Sequence, residues 1–186
     1  MKKVVFLLTA FVTITSTNAQ DFGFGVKGGI NVASIGGSAY SGLGSLGTKV
    51  SFHLGGVAEI PISDKIAVQP ELLYSSQGTN WDYGTGDNNL KLDYINLPIL
   101  GKYAIIEGLS AEAGPVVGFL ISTNEEDDDR FNTLDFAFAI GASYKLNDNI
   151  FFSLRYNKGV TNINGDSFTG GKSQNNVFQL SAGYAF

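Results

Sequence analysis

The chain has no cysteine, only four prolines, one histidine, one tryptophan and one methionine in 186 residues. Without cysteine there is no disulfide framework and no thiolate metal site. Beyond the N-terminus no run of 18 apolar residues occurs, so no transmembrane helix is expected. Basic residues are scarce. Without Lys2 and Lys3, 10 basic face 17 acidic residues, a formal charge of −7. Nucleic acid is excluded as a partner, because neutralising phosphates needs clustered Lys and Arg. What is abundant is glycine, 24 residues, together with frequent aromatics, a mixture suited to many short strands and flexible connections.

Residues 1–19 read as an export signal. Lys2 and Lys3 form a positive start, Val4 to Val12 a short apolar stretch, and Thr17-Asn18-Ala19 the small residues read by a signal peptidase. Cleavage before Gln20 leaves one domain, residues 20–186. No cysteine follows, so this is not a lipoprotein signal.

Eight segments alternate with a period of two. They are Phe22 to Asn31, Val50 to Ile60, Ile66 to Gln77, Leu90 to Ala104, Leu109 to Ser122, Thr133 to Lys145, Ile150 to Asn157 and Asn175 to Phe186. One face carries large apolar residues; the other carries Gly, Ala, Ser, Asn and Gln with about one ionisable group per strand. Short turns follow the second, fourth and sixth segments. Long polar connections follow the others: Val32 to Lys49, Gly78 to Asn89, Thr123 to Asn132 and Lys158 to Gln174.

That alternation of connection lengths predicts an all-β, eight-stranded antiparallel up-and-down barrel with periplasmic short turns and four longer extracellular loops. A soluble barrel would need many charges on its water-facing wall, and neither face supplies them. The large residues therefore face lipid. Tyr103, Tyr144, Phe152, Tyr184 and Phe186 are expected at the periplasmic interface, and Tyr74, Phe119, Tyr156 and Phe178 at the outer one.

The stretch DFGFGVKGGI, Asp21 to Ile30, contains the spacing Gly23-x-Gly25-x-x-Gly28 of a dinucleotide-binding turn. That motif needs a helix after the strand and an acidic residue about 20 positions on. A Gly- and Ser-rich loop follows instead, and position 51 is serine. These glycines belong to a strand, and no cofactor is expected.

Four stretches carry a family likeness: FGFGVKGGIN after the signal, YINLPILGKY (Tyr94 to Tyr103), SLRYNKGVTNI (Ser153 to Ile163), and the last strand ending Tyr184-Ala185-Phe186. In that order the chain resembles the PorT-like outer-membrane β-barrel proteins over nearly all of residues 20–186. The resemblance implies an eight-stranded barrel of Gram-negative outer membranes. Named PorT proteins assist a secretion system, and no residue motif carries that role to this chain.

The inward face collects Lys27, Lys102 and Arg155 against Glu59, Glu71, Glu112 and Asp135. Charges inside so narrow a barrel must pair. The expected reading is a structural salt-bridge network; the alternative is a gated polar path for water or ions. The pairing itself needs the strand register. Phe178, Leu180, Tyr184 and Phe186 on one face of the last strand resemble the signal read by the outer-membrane insertion machinery, a partner that strand addition at an open edge would explain.

His53 with Ser51 or a loop acid could be the remnant of a lipid-modifying site, but no second triad member is identifiable. The run Glu125-Glu126-Asp127-Asp128-Asp129 could bind Ca²⁺, although it lacks the regular ligand spacing of a dedicated loop. Trp81 and Tyr83 could touch a partner or the lipopolysaccharide surface. The expectation is thus a monomeric, non-enzymatic outer-membrane barrel without metal or cofactor. Its partners would be outer-membrane lipids and lipopolysaccharide, and its role structural or exercised through the long loops, with a secretion-accessory barrel as the alternative. Pro70, Pro98 and Pro115 lie inside proposed strands, where a closed barrel has no edge to hide them.

Overall fold

The computed structural model describes residues 22–37, 47–83, 86–125, 131–165 and 171–186, with the side chains of 81–88 excepted. The signal segment expected at 1–19 and the acids Glu126 to Asp129 lie outside the described residues. Eight strands close into one antiparallel barrel in sequence order. They are β1 (Gly23–Gly37), β2 (Lys49–Pro61), β3 (Ile66–Tyr83), β4 (Gly86–Ile106), β5 (Leu109–Thr123), β6 (Leu134–Lys145), β7 (Ile150–Gly159) and β8 (Ser173–Ala185). Closure is made by β1 against β8, from Gly25 opposite Ala185 to Gly37 opposite Ser173.

Period-two alternation decides the faces. On β7 every second residue is buried, so Phe151, Ser153, Arg155 and Asn157 point inward while Phe152, Leu154 and Tyr156 point out. The same parity leaves Phe24, Phe52, Leu72, Ile99, Phe138, Ile140 and Leu180 exposed on the outer wall. A water-soluble barrel would bury such residues; a lipid-facing one displays them. All nine aromatics expected at the interfaces lie on the outer parity, with Phe52 tilted against Tyr74 and Tyr184 edge-on to Phe186.

Two expectations are corrected. The segment Gly78 to Asn89 is mostly strand rather than loop: β3 and β4 remain paired up to Tyr83 opposite Gly86. Polar residues there misled the loop reading, because the hairpin rises beyond the apolar zone, where strands need no apolar face. At 21 residues β4 is about twice what a bilayer crossing requires. β1 likewise runs on to Gly37, into the segment assigned to the first loop.

The interior is also less uniformly small and polar than its composition implied. Leu73, Leu100, Val116, Ala139, Phe151 and Val177 point inward and are buried.

The three prolines share one solution. Pairing between β2 and β3 skips the rungs of Ala58 and Glu59, where Pro70 lies opposite. Pairing between β3 and β4 skips Glu71 and Leu72, where Pro98 lies opposite. Pairing between β4 and β5 skips Ile99 and Leu100, where Pro115 lies opposite. Each proline lacks a donor toward the preceding strand and keeps its rung with the following one, as Pro70 opposite Ile99, Pro98 opposite Val116 and Pro115 opposite Phe138 show. The two-residue turn between β4 and β5 needs Gly108, whose φ is +79°.

Candidate functional site: the lumen and its two ends

The lumen is a stack of polar layers. At the short-turn end, which faces the periplasm in such barrels, Glu59 receives Lys102 Nζ on one oxygen and Lys145 Nζ on the other, both at 2.6 Å. Lys102 also donates to Gln69 Oε1 at 3.0 Å, and Gln69 Nε2 donates to Glu71 Oε1 at 2.6 Å.

The next layer crosses the barrel. Arg155 on β7 donates to both oxygens of Glu71 on β3, at 2.9 and 2.8 Å, and through Nε to Glu112 on β5 at 2.8 Å. Lys27 on β1 adds a contact to Glu71 at 3.3 Å. Two cations face two carboxylates, and all four are buried. Such a cluster is tolerated only because the charges balance and the guanidinium fork matches its acceptors.

Above it lies a neutral layer. His53 Nδ1 is 2.8 Å from Asn31 Oδ1, and Nε2 is 2.8 Å from Ser181 Oγ. Asn31 Oδ1 can only accept, so Nδ1 carries the proton and Nε2 accepts from the serine hydroxyl. Gln179 donates to the same Asn31 oxygen at 3.0 Å and accepts from Asn157 Nδ2 at 2.9 Å. His53 on β2 thus ties β1 to β8 across the closing seam. The serine, histidine and asparagine stand in the order of a nucleophile, a base and an orienting group, a set the sequence did not expose because Ser181 lies 128 residues from His53. All three are buried, at 3 %, 1 % and 0 % exposure, and no substrate carbonyl can stand beside the serine oxygen. Ser51, the partner weighed from sequence, donates instead to the Ser76 carbonyl at 2.6 Å.

Asp135 departs from the expected ion-pair network. It accepts from Thr161 Oγ1 at 2.7 Å and Asn175 Nδ2 at 2.9 Å. No cation pairs with it among the described residues. A small polar cavity of about 20 Å³, lined by Gln77, Asn96, Asp135, Asn157 and Asn175, has room for one water.

The outer end is closed by apolar side chains. Ile35, Leu90, Leu92 and Tyr94 from the strands meet Phe131 and Ile163 from the two following connections, with Leu120 packed against them. Those connections are stitched together. Phe131 bridges Asn164, Asn132 N donates to Ile163 O at 2.8 Å, and Ile163 N donates to Ser173 O at 2.9 Å. The Asn132 side chain also bonds the carbonyls of Asn162 and Asn164.

Of the seven charges singled out from sequence, six form the paired layers, and Lys145 is the member that was missed. Its position at the last residue of β6 hid its inward parity. Lys49 is a second omission: at the first residue of β2 it points inward and donates to Leu90 O at 3.0 Å. Phe178, Leu180, Tyr184 and Phe186 line the outer face of β8 and its end, all exposed. Among the described residues no group of three or more His, Asp or Glu is placed to hold a metal.

A closed barrel with an apolar outer wall, aromatic belts and a paired lumen fits one environment, and the comparisons agree. Residues 18–165 match the family model described as "Outer membrane protein beta-barrel domain". The chain belongs to that family. It is an outer-membrane β-barrel protein. Among solved structures it is similar to Ail, the attachment invasion locus protein of Yersinia pestis, at 13 % identity and TM-score 0.53, covering 90 % of this chain and 100 % of that one. It is also similar to Neisserial surface protein A, at 14 % identity and TM-score 0.57, covering 88 % and 97 %. At such identities the likeness concerns the fold. No curated protein matches the chain.

Proposed function

We propose that this barrel is a non-conducting, non-enzymatic outer-membrane protein whose role is structural or exercised at the cell surface by its outer connections. The observation that carries this reading is the double obstruction of the lumen. The Arg155–Glu71–Glu112 brace spans it, and the cap built around Leu92 and Ile163 closes its outer end. Outer-membrane lipids, lipopolysaccharide and the insertion machinery are the partners this role requires, and the exposed aromatic face of β8 supports the last of these. The name of Ail refers to attachment and invasion, which is consistent with a surface role for a barrel of this shape. The enclosure of His53 speaks against a lipid-modifying activity. Reconstitution in planar bilayers tests the reading: an electrically silent membrane supports it, and reproducible conductance steps overturn it.

A secretion-accessory role of the PorT-like kind is the second reading. It is favoured by the stretch YINLPILGKY, which lies wholly on β4, with Pro98 at the interrupted rungs and Lys102 at the periplasmic mouth. Loss of a secreted protein class on deleting this chain in its native cell would support it.

A further inference from the structure

The periplasmic mouth holds a feature that neither reading uses. Two adjoining cavities, about 570 and 250 Å³, open there and share Glu59, Pro61, Lys102 and Lys145. The larger is of the size of small-molecule sites. The smaller reaches Gln69, which donates to Glu71 beneath Arg155, so a molecule entering it from the periplasm meets the paired layer. It is a pocket, with the charge pair at its inner end.

The charge count at that end is uneven. One carboxylate, Glu59, serves two ammonium groups, which leaves one positive charge in excess. Lys102 is buried, with a second contact to Gln69; Lys145 is half exposed, and Glu59 is its acceptor. Excess positive charge at these two ammonium groups attracts an entering anion. The rim selects further. Asp64, Glu107 and Asp148 stand there against Lys65, so the mouth as a whole carries no net positive charge, and species with several negative charges are repelled more than a monoanion. The walls include Ile66, Ile105 and Phe151, which favour an apolar body behind the anionic head.

We infer that this mouth binds a monoanionic carboxylate carried on a partly apolar body, held by Lys145 and Lys102 in competition with Glu59. Two periplasmic sources share that chemistry: a small organic acid, and the free C-terminus of a peptide or protein. The site faces the opposite compartment from the surface role proposed above and stands independently of it.

The test uses the full barrel in micelles of an uncharged maltoside detergent, each variant first shown to keep its heat-dependent gel shift. Hexanoate, hexanol, and the peptide acetyl-Ala-Ala-Phe with a free or amidated C-terminus are titrated by calorimetry and by amide shifts around Lys145 and Ser110. Saturable binding of either acid is expected, with no binding of hexanol or the amidated peptide. Lys145→Gln should weaken it roughly tenfold, and Glu59→Gln, which removes the competing carboxylate, should tighten it roughly tenfold. A mere structural ion pair predicts no tightening. Preference for the free peptide identifies a protein terminus, and preference for hexanoate identifies a small acid. Absence of saturable acid binding, equal binding of hexanol, or affinities unmoved by the variants would overturn the proposal. If Glu59→Gln does not fold, Lys145→Gln decides.

Discussion

Arg155 and Glu71, 84 residues apart in sequence, meet across the lumen through two parallel hydrogen bonds of 2.9 and 2.8 Å. They join β7 to β3, strands on opposite sides of the barrel that share no ladder. Adding Glu112 and Lys27 draws β5 and β1 into the same brace. Backbone pairing fixes each strand to its neighbours only, so this layer, like the Lys145–Glu59 pair between β6 and β2, ties the barrel across its diameter.

Arg155→Met should therefore destabilise the barrel by about 3–5 kcal/mol, because it strands two buried carboxylates beside a single lysine. Urea unfolding in detergent, followed by loss of the heat-dependent gel shift, reads the change. Replacing Glu112 by Gln in the same chain should recover part of the loss, since the remaining carboxylate, Glu71, then keeps Lys27 as its counter-charge. A double variant no more stable than Arg155→Met would show that the brace acts through packing rather than charge.

Two obstructions in series give a conduction prediction. Arg155→Ala alone should stay silent in planar bilayers, because the cap of Leu90, Leu92, Phe131 and Ile163 still excludes water from the outer end. Adding Ile163→Ser and Phe131→Ser should produce intermittent small steps. Conductance from Arg155→Ala by itself would show that the cap does not seal.

For His53 the expected outcome separates structure from catalysis. His53→Ala leaves the buried Ser181 hydroxyl without its acceptor and Asn31 Oδ1 with Gln179 alone, at a cost of about 1–3 kcal/mol. The lipid composition of the membrane should not change. An altered lipid profile with intact stability would restore the enzymatic reading.

How far the sequence spoke can be seen at particular residues. Period-two alternation alone places Lys27, Glu71 and Arg155 inward, because parity is a local property of the chain. Their partnership was hidden, since it depends on the stagger of β3 against β7, which accumulates over four strand ladders around the barrel. Asp135 looked like a member of the ion-pair set by parity alone, yet Thr161 and Asn175 reach it first. The cap was illegible for another reason: Phe131 and Ile163 lie in connections, where no periodicity announces an inward side chain. The prolines conflicted with a closed barrel only while every rung was assumed to be made.

The closing seam gives the sharpest substitution test. A Cβ added at Gly29 would collide with the backbone carbonyl of Leu180 on β8, and neither strand can retreat without opening the seam. Gly28, the adjacent residue, faces the outer wall, where a Cβ meets Leu54 Cδ1 at 3.1 Å, the tip of a flexible side chain that lipid can accommodate. Gly29→Ala should thus lower stability by about 1–3 kcal/mol or prevent folding, while Gly28→Ala stays within about 1 kcal/mol of the parent. Refolding yield and urea midpoints of the two variants, measured side by side, decide it. Equal tolerance at both positions would mean that β1 and β8 approach less closely than the register of Gly29 opposite Ser181 requires.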